Sequence, residues 1–298
     1  VCSSDLLDHP AEIEPDAAIE RARACEAAAR AVDERISNSE GGEFEWGRGS
    51  LVYANSHGFL GSYTGTRFGL SAAVVAADEA GMQRDYWFST ARALEELEDA
   101  EAVGRRAGER TVRRLGARRV STAKVPVAFE APVAASLLGH LVSAVRGSNL
   151  YRGSSFLVDA AGEQVFNRGI TIREAPHRPR GLGSAPFDGE GVATRERNLV
   201  DDGVLTGYCL DSYSARKLGL ETTGHAGGVH NLYLEPGEQG PDQLLRQMGT
   251  GLLVTELIGF GVNGVTGDYS RGAAGFWVEN GEIAYPVEEI TIAGNLKT

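Results

Sequence analysis

No apolar run in this chain reaches eighteen residues, so the sequence holds nothing that would span a membrane as a helix. Positive charge is in short supply as well. Its 29 Lys and Arg stand against 41 Asp and Glu, a formal net charge of -12, which disfavours a nucleic-acid binder held by phosphate contacts. Cysteine is scarce: Cys2, Cys25 and Cys209 are odd in number and widely scattered, which suits small buried hydrophobes in a reducing compartment better than a disulfide framework. The start, VCSSDLLDHPAE, lacks the basic and apolar segments of a secretory leader, and the phosphate loop GxxxxGK[ST] is missing. These absences lead to the expectation of a cytoplasmic protein. The chain opens on Val1 rather than Met, and VCSSDL reads like a translated sequencing adapter. Residues 1–6 are therefore expected to be non-native, and both domains to be incomplete.

Glycine, by contrast, is abundant, at 39 residues, and with 42% hydrophobic residues the chain can bury a sizeable core in two domains. Glu14, Pro15 and Asp16 predict a helix start, with apolar spacing from Ile19 through Ile36 and a stop at Ser37, Asn38 and Ser39. Residues 41–89 read as a meander of short strands, including 50–54, 60–63 and 68–75, parted by Gly- and Asn-containing turns. A second helix is predicted over residues 100–115, stopped by Gly116. The polar, basic segment 117–124 is the expected boundary between domains 1–122 and 123–298.

Beyond it, residues 125–129 predict a strand and residues 132–145 a helix. Short strands follow over 155–159, 164–166, 170–172, 191–194 and 198–200, with a hairpin turn at Asp202 and Gly203. Tyr213 opens a short helix, and residues 243–258 begin as an amphipathic helix, with a helical end at Ile258 left open. The tail alternates as strands around the turn Asn280-Gly281. The expected class is α+β, with helices on antiparallel sheets and antiparallel β dominating the C-terminal domain.

Residues 248–297 are the most telling part: glycines at 259, 261, 264, 267, 272 and 275, interleaved with Asn263, Thr266, Asp268, Ser270 and Arg271. Such density suits tight turns or close backbone approach. Gly259, Gly261 and Gly264 spell GxGxxG without the strand before and helix after that a dinucleotide site needs. Ser270 in GDYSRG lacks a nucleophile-elbow context, and the simpler reading is that Asp268 and Ser270 satisfy backbone groups of a turn. His225 and His230, five apart in TGHAGGVHN, converge only if the loop folds back. A structural or subunit-contact role is preferred there to a metal site.

The words YRGSSFL (151–157), PFD and EGV (186–192), SYSARKLG (212–219), GHAGG (224–228) and GDYSRG (267–272) occur in this order. On them the chain, from about Leu7 to Lys297, resembles the TldE (PmbA) branch of the TldD/PmbA metallopeptidase family. That resemblance implies a subunit of a cytoplasmic heterodimeric peptidase that acts on small or unfolded peptides. The TldD-type partner is expected to supply zinc and the catalytic glutamate from an HExxxH helix, and no cofactor or catalytic residue is expected on this chain. Two imidazoles and a third ligand hold such an ion and leave a place for water. Here LLGHLVSAV stands at that helix: the histidine positions are Gly139 and Ala144, and the glutamate position is His140. One imidazole does not hold zinc, and no carboxylate remains to take a proton. His140 is therefore read as a packed or hydrogen-bonded helix residue. His225, His230, Asn263, Asp268, Tyr269, Ser270 and Arg271 are the candidates for substrate or partner contact, and residues 249–275 are expected to line the partner interface or peptide channel. Sheet edges of the second domain suit an extended peptide added as a strand. Two other readings stay open: a regulatory binder of the gyrase-modulator type, and an autonomous metallopeptidase.

Overall fold

The computed structural model describes residues 6–297, so Cys2 and residues 1–5 of the suspected non-native segment lie outside the described residues. The chain forms two compact units. One runs to Ala117 and includes Pro179–Leu182; the other comprises Arg118–Arg178 and the chain from Gly183 onward. Among the described residues no helix is long and apolar enough to cross a membrane.

The first unit opens with α1 (Pro15–Arg30), with Pro in its first turn, Asp16 at its positive end and Arg30 at its negative end. The helix stops earlier than its apolar spacing predicts. Asp33 Oδ1 accepts the amide of Arg35 at 2.9 Å, turning the chain. β-branched Ile36 then enters the core as the first residue of a strand.

Three antiparallel strands follow: β1 (Ile36–Ala54), β2 (Leu60–Asp78) and β3 (Gly81–Ala91), in the order β1-β2-β3. They are longer than the short strands read from the sequence. Gly47, Gly49, Gly61 and Gly65 sit inside an unbroken ladder from Gly41↔Ala73 to Ala54↔Leu60, where cross-strand pairing outweighs their lack of side chains. Asn55 makes the β1–β2 turn, accepting the amides of His57 and Phe59, and Asp78 the β2–β3 turn, accepting those of Ala80 and Gly81. β1 is an edge strand, and it exposes Trp46, Leu51 and Val52, the last at 70%.

A second helix, α2 (Ala100–Arg113), is capped by Asp99, whose carboxylate accepts the amide of Ala102. Cys25 and Ala29 of α1, Val103 and Ala107 of α2, and Leu70, Ala72, Val74 and Ala76 of β2 form one core. The two helices meet at their backbones: a Cβ on Gly104 would lie 2.0 Å from the carbonyl oxygen of Cys25.

The second unit contains β4 (Val127–Phe129), α3 (Ala131–Val145) and the single turn α4 (Gly147–Leu150). It continues with β5 (Ile172–Glu174), β6 (Arg197–Asp201), β7 (Val204–Leu205), α5 (Ser212–Leu218), β8 (Leu232–Leu234) and α6 (Pro241–Met248). It closes with β9 (Gly251–Ile258), β10 (Asp268–Glu279) and β11 (Glu282–Asn295). One sheet has the order β11-β10-β9-β4, with β4 parallel to β9 and the rest antiparallel; the other, β7-β6-β5-β8, is antiparallel throughout. The class is α+β, as expected.

Residues 243–258 are not one helix. α6 ends at Met248, Gly249 takes φ +69, and the run from Leu252 becomes a strand whose Leu252 and Val254 enter the sheet core. Residues 155–159, 164–166 and 191–194 are turns or isolated bridges rather than strands. The Asn280-Gly281 turn has φ of 54 and 79, the paired positive values of a tight hairpin.

α3 ties the two sheets together. Val133 packs with Leu252, Val254 and Val287 of the first sheet, while Leu141, Ala144 and Val145 share a core with Ile172, Leu199, Val200 and Leu205 of the second.

Candidate functional site

The distinctive words of the second unit hold one another in place. Ser155 is buried, donates its hydroxyl to the carbonyl of Ala144 at 2.6 Å and accepts the amide of Leu157, which pins the chain to the end of α3. Asp188, 4% exposed, accepts the amides of Glu190 and Val192 on one oxygen and that of Ala226 on the other, each at 2.9 Å. Asp211 caps α5 through the amide of Ser214, and Gly219 ends that helix in the left-handed conformation.

Around this frame lies a buried ionic network. Glu174 of β5 is fully enclosed. Its carboxylate faces His225 Nε2 at 2.8 Å, accepts Arg197 Nε at 3.0 Å and accepts the His230 amide at 2.6 Å. Thr223 Oγ1 lies 2.9 Å from His225 Nδ1. Burial pushes the Glu174 carboxyl up, but the His225 hydrogen bond and the charges of His225 and Arg197 outweigh it and leave the group below its ordinary value. Arg197 Nη2 also reaches Cys209 Sγ at 3.1 Å, and burial nonetheless pushes that thiol up to about 11.

The loop does fold back on itself, bringing the His225 and His230 rings within 6.0 Å. Burial lowers the His230 pKa, and its Nε2 is enclosed without a protein partner. His225 is buried at 7% exposure, and His230 is partly exposed. Among the described residues no three His, Cys, Asp or Glu side chains gather in a metal-holding group.

The other candidates divide by strand alternation. β10 turns Tyr269 inward, 7% exposed, and leaves Asp268 and Ser270 exposed. Tyr269 meets His140 of α3 edge-on, ring centres 5.9 Å apart and planes at 79°. Arg271, two residues along the same strand, acts electrostatically on both. Burial first and the Arg271 charge second lower the His140 pKa, while burial raises that of Tyr269 against the pull of Arg271. His140 Nε2 and Arg271 Nε are enclosed without a protein hydrogen-bond partner, whereas the Tyr269 hydroxyl meets the Arg271 side chain. The expectation of a packed His140 is met in its packing, through the ring of Tyr269, and not in hydrogen bonding of Nε2.

Gly139 is exposed with open space where a Cβ would lie, whereas Ala144 is buried at 3%. The two positions thus point to different surroundings. Asp268 does not serve backbone amides: it accepts Thr266 Oγ1 at 2.6 Å and Asn295 Nδ2 at 2.9 Å, and these bonds lower its pKa. Asn263 is the turn former, accepting the amides of Val265 and Thr266. The GxGxxG glycines follow β9, not a helix, and still open no helix; a Cβ on Gly261 would lie 1.8 Å from the Ser270 carbonyl oxygen.

One cavity borders His140 and another Tyr269. One, about 410 Å³, has Leu137, His140, Phe156 and Phe166 among its walls; the other, about 310 Å³, has Phe129, Leu137, Tyr269 and Ile292. Leu137, Asn295 and Leu296 line both. Glu174 and Arg197 were not singled out in the sequence, because the bonds that join Glu174 to Arg197, His225 and His230 span 23 to 56 residues; Ser155 and Asp188 lie in two of the distinctive words but were given no role there.

Comparison with known proteins adds the following. The family description PmbA/TldA metallopeptidase central domain matches residues 8–115, and the PmbA/TldA metallopeptidase C-terminal domain matches residues 122–298. The chain is 54% identical over 291 residues to Metalloprotease PmbA of Escherichia coli O157:H7 and 49% identical to a PmbA homolog of Haemophilus influenzae. In both cases the match covers 98% of this chain and 65% of the relative, so the chain spans about two thirds of these relatives' length. Among solved structures it is similar to a Bacteroides thetaiotaomicron protein described as a modulator of DNA gyrase, with TM-score 0.90 and 31% identity over 100% of this chain and 70% of that one. It is also similar to TldE of Thermococcus kodakarensis, with TM-score 0.84 and 25% identity over 96% and 67%.

Proposed function

The chain belongs to the PmbA/TldA metallopeptidase family, in its PmbA/TldE branch, and from that membership we propose that it is the non-metal-binding subunit of a heterodimeric zinc metallopeptidase. In this reading a TldD-type partner holds zinc and the general base, and the pair degrades or processes small unfolded peptides in the cytoplasm. The observation that carries it is the chemistry of α3. A zinc peptidase needs several imidazole or carboxylate ligands and leaves one position for water. Positions 139, 140 and 144 offer one imidazole, and that imidazole packs against Tyr269.

A partner surface has support too. Of the 249–275 segment, β9 and the later part of β10 are largely buried in a sheet, and the loop between the two strands is the part left open to a partner. Phe260 is 97% exposed in that loop, with Ile258 at 57% and Val265 at 54% beside it, an apolar group of the kind a protein partner covers.

Co-expression with a TldD-type protein tests the proposal, with zinc content and peptidase activity measured on each chain and on the pair. Zinc is expected to track the partner, and cleavage to require both chains. Stoichiometric zinc and cleavage by this chain alone, lost on changing His140, His225 or His230, would overturn the subunit reading. Cleavage by the partner that ignores this chain would favour a regulatory binder.

A further inference from the structure

Residues 49–66 hold no Asp, Glu, Lys or Arg, the longest such stretch in a chain that is 23% charged. They are also where the first sheet thins. β3 pairs with β2 only from Phe68↔Ala91 inward, whereas β1 and β2 stay paired out to Ala54↔Leu60. Among the described residues the ladder beyond Phe68 is therefore a two-stranded arm. Its root is tied down: Thr66 Oγ1 accepts the amide of His9 and donates to the carbonyl of Arg92, and Arg48 pairs with Asp8 at 2.7 Å. Along the arm, side chains alternate between two faces. Leu51, Tyr53 and Tyr63 share one, with Val52, Ala54 and Leu60 on the other. None of the six is buried, and Val52 and Leu60 are 70% and 74% exposed.

A two-stranded hairpin is marginal in water by itself. Open strand edges normally carry charges that turn other chains away; β1 does so at Glu43, Glu45 and Arg48, but not beyond. Apolar groups on both faces, tyrosines and an absence of charge make up the buried centre of a lasting interface. A substrate that is released would return both faces to water at every turnover, so the arm suits a permanent partner. A second copy suits it less, because each copy brings a net charge of -12 and the same Glu43 and Glu45 beside the arm.

We propose that the TldD-type partner covers residues 49–66, with Val52 and Leu60 seated on an apolar, uncharged surface of that chain and the open edge of β1 paired to one of its strands. The partner's identity rests on the subunit reading; the surface rests on the arm alone. The first unit thereby gains a task of its own, assembly, separate from the Phe260 loop of the second.

Co-expression with a TldD-type protein tests this through two readouts, pair affinity by sedimentation and amide exchange across residues 49–66. Exchange there is expected to slow about tenfold or more when the pair forms. Val52→Lys combined with Leu60→Lys changes two sites already open to solvent, so the fold should persist by circular dichroism while pairing weakens about tenfold or more. Met82→Lys, 74% exposed on β3 of the same sheet, should leave pairing unchanged. A double variant that pairs like the parent, with no slowing over 49–66 in the parent's pair, would overturn the arm and leave the subunit reading standing. A parent chain that forms no pair at all would sink both. Self-association of the chain alone, lost in the double variant, would assign the arm to a second copy. Slowing by reduced, carboxymethylated α-lactalbumin, an unfolded chain, without the partner would assign it to substrate. Either result overturns the proposal.

Discussion

Glu174 concentrates the internal electrostatics of the second unit in one side chain. Three donors from three parts of the chain converge on it: a guanidinium, an imidazole and a backbone amide. Glu174→Gln keeps the shape and turns one acceptor into an amide nitrogen that faces donors. Removing one partner of a buried pair leaves the other charge uncompensated, at roughly 3 kcal/mol or more. The variant is expected to lose that much stability in urea unfolding. A midpoint equal to the parent's would mean that water reaches Arg197 and replaces the carboxylate. None of this was legible in the sequence. Glu174 lies in a short strand, and its partners are 23, 51 and 56 residues distant. His225 and His230 stood out because they are few and close together; the carboxylate that unites them did not.

At the scale of elements, some starts and turns were readable where the chain carried its own signals. Pro15 opens α1 and Asn280-Gly281 closes the last hairpin as read, whereas the caps Asp99 of α2 and Asp211 of α5 and the left-handed stop at Gly219 were not picked out. The reading failed where an apolar run was too short to betray its period. Residues 252–257 fit a helix or a strand equally, and only pairing with β4 and β10 decides for the strand. It failed again over β1 and β2, because a glycine marks a turn only when no neighbouring strand holds it in line. At Gly104 the meaning of glycine is steric. In a free helix Ala would be favoured there by about 1 kcal/mol. Here the added methyl would strike the Cys25 carbonyl, so Gly104→Ala is expected to destabilise the first unit by roughly 1–3 kcal/mol, through separation of α1 from α2. Thermal unfolding of the variant checks the sign. A gain in stability would show that the helices move apart freely.

For the whole molecule, the buried titratable groups define a window of pH. His140 and His230 have lowered pKa values, so the folded chain binds fewer protons than the unfolded one as pH drops through the ordinary imidazole value near 6.5. Their contribution is full above that value and is lost below it. Glu174, also lowered, adds a loss of the same sign at more acid pH, below the ordinary glutamate range. Cys25 and Cys209, pushed up to about 11 chiefly by burial, act in the opposite direction: the unfolded chain loses their protons first, so stability declines on the alkaline side. Urea midpoints measured from pH 5 to 10 are expected to peak near neutrality and fall on both sides. A midpoint that stayed flat between pH 7.5 and 5 would refute the assignment of His140 and His230 as neutral.

The long outer strand of the first unit has a practical corollary. Nineteen residues of β1 present one row of amides and carbonyls to β2 and the other to whatever lies outside. Glu43, Glu45 and Arg48 are interspersed along it with Trp46, Leu51 and Val52. Those charges act as gatekeepers, discouraging a second copy from zipping onto that row, and their neutralisation would turn a soluble preparation toward fibrous self-assembly.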